Sequence, residues 1–260
     1  MKLVRFQKEQ RTSFGIIEES GQISELRNFP WESLEKTVFS YLCSEVELLP
    51  PAEPPEIIAI GLNYGEHAKE SGASLPQEPV FFLKASASAI GPGAPIKLPE
   101  MAPAEVDYEA ELAIVIGRLC HNVKSSEALD YVLGYTCGND VSARDCQRRR
   151  DVQWARAKSF TTFCPLGPWL ETELNPNDLR IRLLLNGRTM QDGRTSDMIF
   201  NCQQLISFCS RIFPLRPGTV ILTGTPPGVG FARKPPVFLK SGDRVEVEIE
   251  GSGKLLNPVS

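Results

Sequence analysis

The run Ala110-Glu111-Leu112-Ala113-Ile114-Val115-Ile116-Gly117 limits the possible folds more than any other stretch of the chain. Beyond Glu111 its apolar residues are consecutive, not alternating, so it reads as a strand buried on both faces. Such a strand needs packed layers on either side. Just ahead of it stand Val106-Asp107-Tyr108-Glu109. Residues i and i+2 of a strand share a face, so Glu109 and Glu111 aim their carboxylates at the same space. Unpaired buried carboxylates are costly, and two held this close want a divalent cation or a shared proton. The plainer alternative places the pair beyond the sheet edge, solvated or matched to Lys and Arg.

A third carboxylate follows. Ala128, Leu129, Val132 and Leu133 have helical spacing and predict a helix over about 126–133. Next comes Gly134-Tyr135-Thr136-Cys137-Gly138-Asn139-Asp140, a second apolar strand with Asp140 at its end, leading into an Arg-rich segment. Glu109, Glu111 and Asp140 together would make a hard, all-oxygen site with open positions, suited to Mg²⁺ or Mn²⁺ and also to Ca²⁺. Zinc is a poorer match, because the only histidines are His67 and His121 and no Cys-His spacing is clustered.

Along the chain, short strands recur between Gly and Pro turns. Residues 1–50 read as a small N-terminal β-rich domain, with strands at Leu3–Phe6, Ser13–Ile17 and Gln22–Leu26 and an amphipathic helix over Trp31–Leu42. Residues 51–56 belong to a Pro-rich linker, Leu49-Pro50-Pro51-Ala52-Glu53-Pro54-Pro55, that cannot be helical. Residues 57–260 then form a second, larger domain. Its strands fall at 57–61, 80–84, 110–117, 134–138, 180–186, 219–223 and 244–250, with a further helix at 201–210. This count predicts a strand-dominated α+β architecture, not alternating βαβ units.

Composition removes several function classes. A net charge of −4 and a pI near 5.4 argue against a dedicated nucleic-acid binder. No apolar stretch approaches the ~20 residues that span a bilayer, so no membrane partner is expected. The seven cysteines are scattered and odd in number, which fits reduced thiols in the cytoplasm. Lys2, Arg5, Lys8 and Arg11 near the N-terminus keep mitochondrial targeting as the alternative.

His67 and Glu70 are three apart, so on a helical turn they share a face and can form a general acid/base pair; alone, such a pair is more often surface decoration. Lys158 sits among aromatic and small residues in Trp154-Ala155-Arg156-Ala157-Lys158-Ser159-Phe160. It can supply positive charge to an enolate or carboxylate oxygen, or simply snorkel from an apolar segment. Lys84 ends the run Val80-Phe81-Phe82-Leu83 and can emerge into the same cavity. The loop Thr223-Gly224-Thr225-Pro226-Pro227-Gly228-Val229-Gly230 offers backbone N–H groups and hydroxyls to a carboxylate. It lacks the Gly-Lys-Ser/Thr ending of a nucleotide phosphate loop. Arg148-Arg149-Arg150 reads as a solvated face that, beside a site for anions, can also steer acids inward.

Six motifs in order resemble the fumarylacetoacetate hydrolase superfamily. They are Gly-Leu-Asn-Tyr-Gly-Glu-His-Ala-Lys-Glu (61–70), Pro-Val-Phe-Phe-Leu-Lys (79–84), Val-Asp-Tyr-Glu-Ala-Glu-Leu (106–112), Asn-Asp-Val-Ser-Ala-Arg-Asp (139–145), Ala-Lys-Ser-Phe (157–160) and the 223–230 loop. The resemblance implies a mixed β-sandwich roll, usually a homodimer. It implies Mg²⁺ or Mn²⁺ on Glu109, Glu111 and Asp140, and the His67–Glu70 dyad on a mobile lid. It also implies substrate contacts from Gln147 and Thr225. Superfamily members cleave, decarboxylate or tautomerise small 2-oxo and 1,3-diketo acids. The complete dyad tilts the expectation to C–C hydrolysis of the acylpyruvate or fumarylacetoacetate type. Oxaloacetate decarboxylation or keto–enol tautomerisation and homoprotocatechuate-pathway isomerisation or decarboxylation are the alternatives. A non-catalytic organic-acid binder is the contrasting class.

Overall fold

The computed structural model describes residues 1–260. Its strands, in chain order, are β1 (Lys2–Lys8), β2 (Arg11–Ile17), β3 (Gln22–Leu26), β4 (Lys36–Leu42), β5 (Glu47–Leu48), β6 (Ile57–Gly61), β7 (Val80–Lys84), β8 (Ala89–Ile90) and β9 (Val106–Asp107). They continue as β10 (Ala110–Ile116), β11 (Val132–Asn139), β12 (Ser142–Ala143), β13 (Cys164–Glu171), β14 (Arg180–Leu185), β15 (Arg188–Arg194), β16 (Val220–Leu222), β17 (Arg244–Ile249) and β18 (Gly253–Pro258). The α-helices are α1 (Gly65–Glu70), α2 (Ala155–Lys158) and α3 (Cys202–Ile212).

One sheet of 12 strands runs β4-β3-β2-β1-β13-β11-β10-β16-β6-β7, with β5 added to β1 and β8 to β13. A second, four-stranded sheet, β15-β14-β17-β18, packs across β10, β11 and β13. This is the strand-dominated mixed sandwich expected from the sequence.

Strand β10 is buried at all seven positions. Leu112, Ile114 and Ile116 pack with Ile181, Leu183, Val245 and Val247 of the smaller sheet. Ala113 and Val115 instead join Ile57, Ala59, Leu166, Leu170, Val220 and Leu222 in a second cluster. Each fully buried Leu, Ile or Val is worth about 1.5–3 kcal/mol, so both faces of the strand contribute and alternation disappears. Helix α3 opens on a capping box between Asn201 and Gln204 and buries Cys202, Leu205, Ile206 and Cys209.

The N-terminal strands extend the large sheet: β1 pairs antiparallel with β13 at Lys2↔Glu171 and Leu3↔Leu170. Leu3, Phe14 and Ile16 share the second cluster with the main body.

Two expected helices are corrected. Trp31–Leu42 is a turn followed by β4, paired with β3 at Ile23↔Tyr41 and Ser24↔Ser40. Its Thr, Val, Phe and Tyr side chains suit a pleated surface, while Trp31 stacks on Phe29. The segment 126–133 divides into a 3₁₀ helix, Ser125–Tyr131, and the start of β11, because Val132 pairs with Ile116. Strands β13, β15 and β18, and the two-residue strands β5, β8, β9 and β12, have no counterpart among the strands expected from the sequence. No helix is long and apolar enough to cross a membrane.

Candidate active site

Antiparallel pairing of β10 with β11 sets Ala110 against Asn139 and Glu111 against Gly138. The Asp140 N–H donates to the Glu109 carbonyl at 2.9 Å, and the Asn139 side-chain oxygen accepts the Glu109 N–H at 3.0 Å. This local ladder brings one carboxylate oxygen each from Glu109, Glu111 and Asp140 within 4.8 Å of one another, all buried.

Three fixed cations share the space. Lys158 Nζ donates to Glu109 at 2.7 Å and to Asp140 at 2.6 Å. Lys84 Nζ donates to Asp140 at 2.5 Å. Arg144 donates through Nη2 to Glu109 at 2.6 Å, through Nε to Asp107 at 2.8 Å and through Nη1 to Gln147 at 2.8 Å. Burial alone would raise the Glu109 carboxyl, but Lys158 and Arg144 outweigh it and hold its pKa well below the usual range. The same opposition acts on Lys158: burial disfavours its ammonium, yet Asp140 and Glu109 raise its pKa.

Glu111 is different. Its hydrogen-bond partner is the Gly224 N–H, at 2.7 Å, and no ammonium or guanidinium bonds to it. Burial, then repulsion from Asp140 and Glu109, pushes its pKa well above the ordinary range. The cluster therefore sets four carboxylates (Asp107, Glu109, Glu111, Asp140) against three cations (Lys84, Arg144, Lys158), with Glu111 the uncompensated one. An all-oxygen donor set short of positive charge fits a hard divalent ion: Glu109, Glu111 and Asp140 would hold Mg²⁺, Mn²⁺ or Ca²⁺.

Beside the triad opens a cavity of about 200 Å³, smaller than the roughly 300–1,000 Å³ of drug-sized sites. Ile60, Leu62, Phe82, Trp154 and Phe231 give it apolar walls. His67 lines it from α1, and its Nδ1 lies 2.8 Å from Glu70. Glu70 also accepts the Gly228 N–H, at 2.9 Å. A carboxylate on Nδ1 assigns the proton there and leaves Nε2 as the reactive nitrogen. Gly228 can bend to reach Glu70 because its φ is +108° and a Cβ would strike the Met190 carbonyl.

Other sequence-predicted contacts are placed as follows. Gln147 lines the cavity; its carbonyl oxygen takes the Arg144 N–H and its amide N–H groups have no partner in the chain. Thr225 lines the cavity too, but its hydroxyl donates to the Ala110 carbonyl at 2.9 Å and accepts from Gln191 at 2.7 Å. Lys84 is fully enclosed, does not line the cavity, and spends its charge on Asp140. Lys158 serves Glu109 and Asp140 first, which leaves one ammonium N–H. Cys164 is a packed thiol, pushed up to about 12 by burial.

Sequence reasoning assigned no role to Asp107, Arg144 or Gln191. Asp107, fully buried, accepts Arg144 Nε and the backbone N–H groups of Tyr108 (2.8 Å), Gly230 (2.7 Å) and Phe231 (3.0 Å). It thereby ties the 223–231 loop to the segment that carries Glu109 and Glu111. The available signal was parity: Asp107 precedes Glu109 by two, as Glu109 precedes Glu111. Gln191 bridges Ala110 N–H, Thr225 and the Pro226 carbonyl, and nothing local in its sequence marks it.

A family model described as "Fumarylacetoacetate (FAA) hydrolase C-terminal" matches residues 56–260, and one described as "Rv2993c-like, N-terminal" matches residues 1–51. The chain is 49% identical over 221 residues, 83% of its length, to a Xenopus laevis protein named oxaloacetate tautomerase fahd2, mitochondrial, covering 69% of that protein. It superposes with TM-score 0.90 on a 5-carboxymethyl-2-hydroxymuconate delta-isomerase from Mycobacterium smegmatis, at 43% identity over 100% of this chain and 99% of the other. A 2-hydroxyhepta-2,4-diene-1,7-dioate isomerase from Mycobacterium marinum gives TM-score 0.88 at 40% identity, with 100% and 98% covered.

Proposed function

The chain belongs to the fumarylacetoacetate hydrolase family, and from that premise we propose that it is a divalent-metal-dependent tautomerase of small 2-oxo diacids, with oxaloacetate as the first substrate to test. The observation that carries this reading is one small cavity faced by both a proton-transfer dyad and an undercharged carboxylate triad.

Glu109, Glu111 and Asp140 would hold the ion, which when bound supplies Lewis acidity toward negative charge developing on the 2-oxygen. The protein's own groups do the rest. His67 Nε2 takes the proton from the enol hydroxyl and delivers it to the neighbouring carbon as the C=C pair moves there and the carbonyl re-forms; the keto-to-enol direction is the reverse. Glu70 stabilises the imidazolium so formed, and the Gly228 N–H keeps Glu70 in place. The Gln147 amide and the remaining Lys158 N–H are donors for the substrate's oxygens. The apolar walls exclude water, which strengthens each of these contacts.

The sequence alone tilted the expectation to C–C hydrolysis. The names of the similar proteins shift the weight to proton transfer, which needs the same dyad without a positioned water. Hydrolysis remains the second reading, favoured by the complete His67–Glu70 pair.

Enol-to-keto conversion of oxaloacetate, followed by ultraviolet absorbance with Mn²⁺ added or chelated, tests the proposal. Acceleration should need the ion and vanish in His67→Ala and Glu109→Gln. Full acceleration in chelated protein overturns it. Cleavage of acetylpyruvate without any tautomerisation would establish the second reading.

A further inference from the structure

The three consecutive arginines are not equivalent. They occupy a single π-helical turn, Cys146–Arg150. Arg149 pairs with Glu105 at 2.9 Å; Arg150 pairs with Asp145 at 3.1 Å and donates to the Met101 carbonyl at 2.8 Å. Arg148 has no ion pair and no hydrogen bond within the chain. Its guanidinium instead lies 4.4 Å from the centre of the Phe231 ring, and Arg148 and Phe231 both line the cavity.

The ring is a fixed platform. The Phe231 N–H is bonded to buried Asp107, and Arg144 sits 4.6 Å from the same ring. A guanidinium stacked on an anchored ring loses less freedom on binding a ligand, and its planar fork matches a carboxylate. Arg144 and Lys158, the other fixed cations lining the cavity, are already engaged by Asp107, Glu109 and Asp140. Arg148 is thus the cavity's one permanent cation without a carboxylate. Glu111 is its opposite, a carboxylate without a cation. A 2-oxo acid gripped through a divalent ion at the triad would answer the second need; a further carboxylate on the same molecule would answer the first.

We propose that Arg148 is the specificity-determining residue that receives the second carboxylate of a 2-oxo diacid. This rests on the reading above that the substrate's 2-oxo acid end faces the triad.

The test is calorimetric titration of the full chain, loaded with Mn²⁺, with two acids of equal carbon count, 2-oxoglutarate and 2-oxopentanoate. The wild type should bind the diacid about tenfold more tightly, the modest worth of a charge-assisted contact at an exposed rim. Arg148→Met should abolish that preference while leaving 2-oxopentanoate affinity unchanged. Arg148→Lys should restore part of it, since a point charge lacks the fork. Arg149→Met and Arg150→Met should keep it whole. A preference that survives in Arg148→Met, or is absent from the wild type, overturns the assignment, as does failure of both acids to bind. If Arg148 governs the preference while oxaloacetate is never tautomerised, the proposed reaction falls and the carboxylate site stands.

Discussion

Replacing Asp107 by asparagine keeps the shape of a fully buried side chain and removes its charge. The native carboxylate accepts four hydrogen bonds, from Arg144 Nε and from the N–H groups of Tyr108, Gly230 and Phe231. Asparagine has a single acceptor oxygen, and its NH₂ must face at least one of those donors. Breaking a buried ion pair by removing one partner costs about 3–5 kcal/mol. Arg144 keeps Glu109 as a partner, so the lower end applies, about 3 kcal/mol. For a chain of this size that corresponds to a fall of roughly 6–12 °C in melting temperature. The carboxylates around the triad would then equal the fixed cations in number, so Mn²⁺ should bind more weakly as well. Thermal unfolding of the chelated variant and calorimetric Mn²⁺ titration read the two effects separately. Asp107→Asn combined with Arg144→Met should cost less than the sum of the single changes, because the two share one network. An unchanged melting temperature with unchanged Mn²⁺ affinity would refute the idea that Asp107 holds the loop and sets the charge balance.

Three further outcomes follow from particular atoms. Metal-free protein should lose stability as pH rises above about 4.3, the pKa of an unfolded glutamate, because burial and repulsion from Asp140 and Glu109 let folded Glu111 keep its proton when the unfolded chain has lost it; the slope is at most about 1.4 kcal/mol per pH unit. Urea unfolding under chelation checks this, and saturating Mn²⁺ should reverse the trend, since the ion binds the deprotonated carboxylate; a flat profile without metal would refute it. Gly230→Ala should cost about 3 kcal/mol or more, since its Cβ would strike the Val237 carbonyl and Asp107. Gly21→Ala, left-handed (φ +80°) but in open space, should cost only about 1 kcal/mol in the same urea melts.

Much of the fold could be read from local pattern. The unbroken apolar run of β10 demanded layers on both sides, and the sandwich supplies them. Where reading failed, a local signal was ambiguous until a partner strand decided it. Trp31–Leu42 is amphipathic enough for a helix, and only pairing with β3 makes it a strand. Strand β13 is masked by Pro165, Gly167 and Pro168, residues that argue against a central strand. Its register against β11 breaks between Tyr135 and Cys137, opposite Glu171 and Gly167, so Pro168 falls inside the irregularity and no ladder bond is lost there.

The candidate site divides along the same line. Spacing of two on a strand, and a strand end, suffice to nominate Glu109, Glu111 and Asp140, because the β ladder itself brings them together. The spacing of three likewise foretells the contact between His67 and Glu70. What sequence cannot supply is how each polar atom is already spent. Thr225 and Lys84 carry suitable chemistry, yet one hydroxyl is used in both directions by Ala110 and Gln191 and one ammonium is held by Asp140. Those commitments join residues far apart in the chain, as Asp107 joins Gly230 across 123 positions. Hydrogen-bonding capacity is finite, so a ligand can take only what the scaffold leaves over. In this cavity the unspent groups include His67 Nε2, the Gln147 amide, one Lys158 N–H and the Arg148 fork, a set with one proton acceptor and donors enough for the acid with two carboxylates that the proposed function calls for.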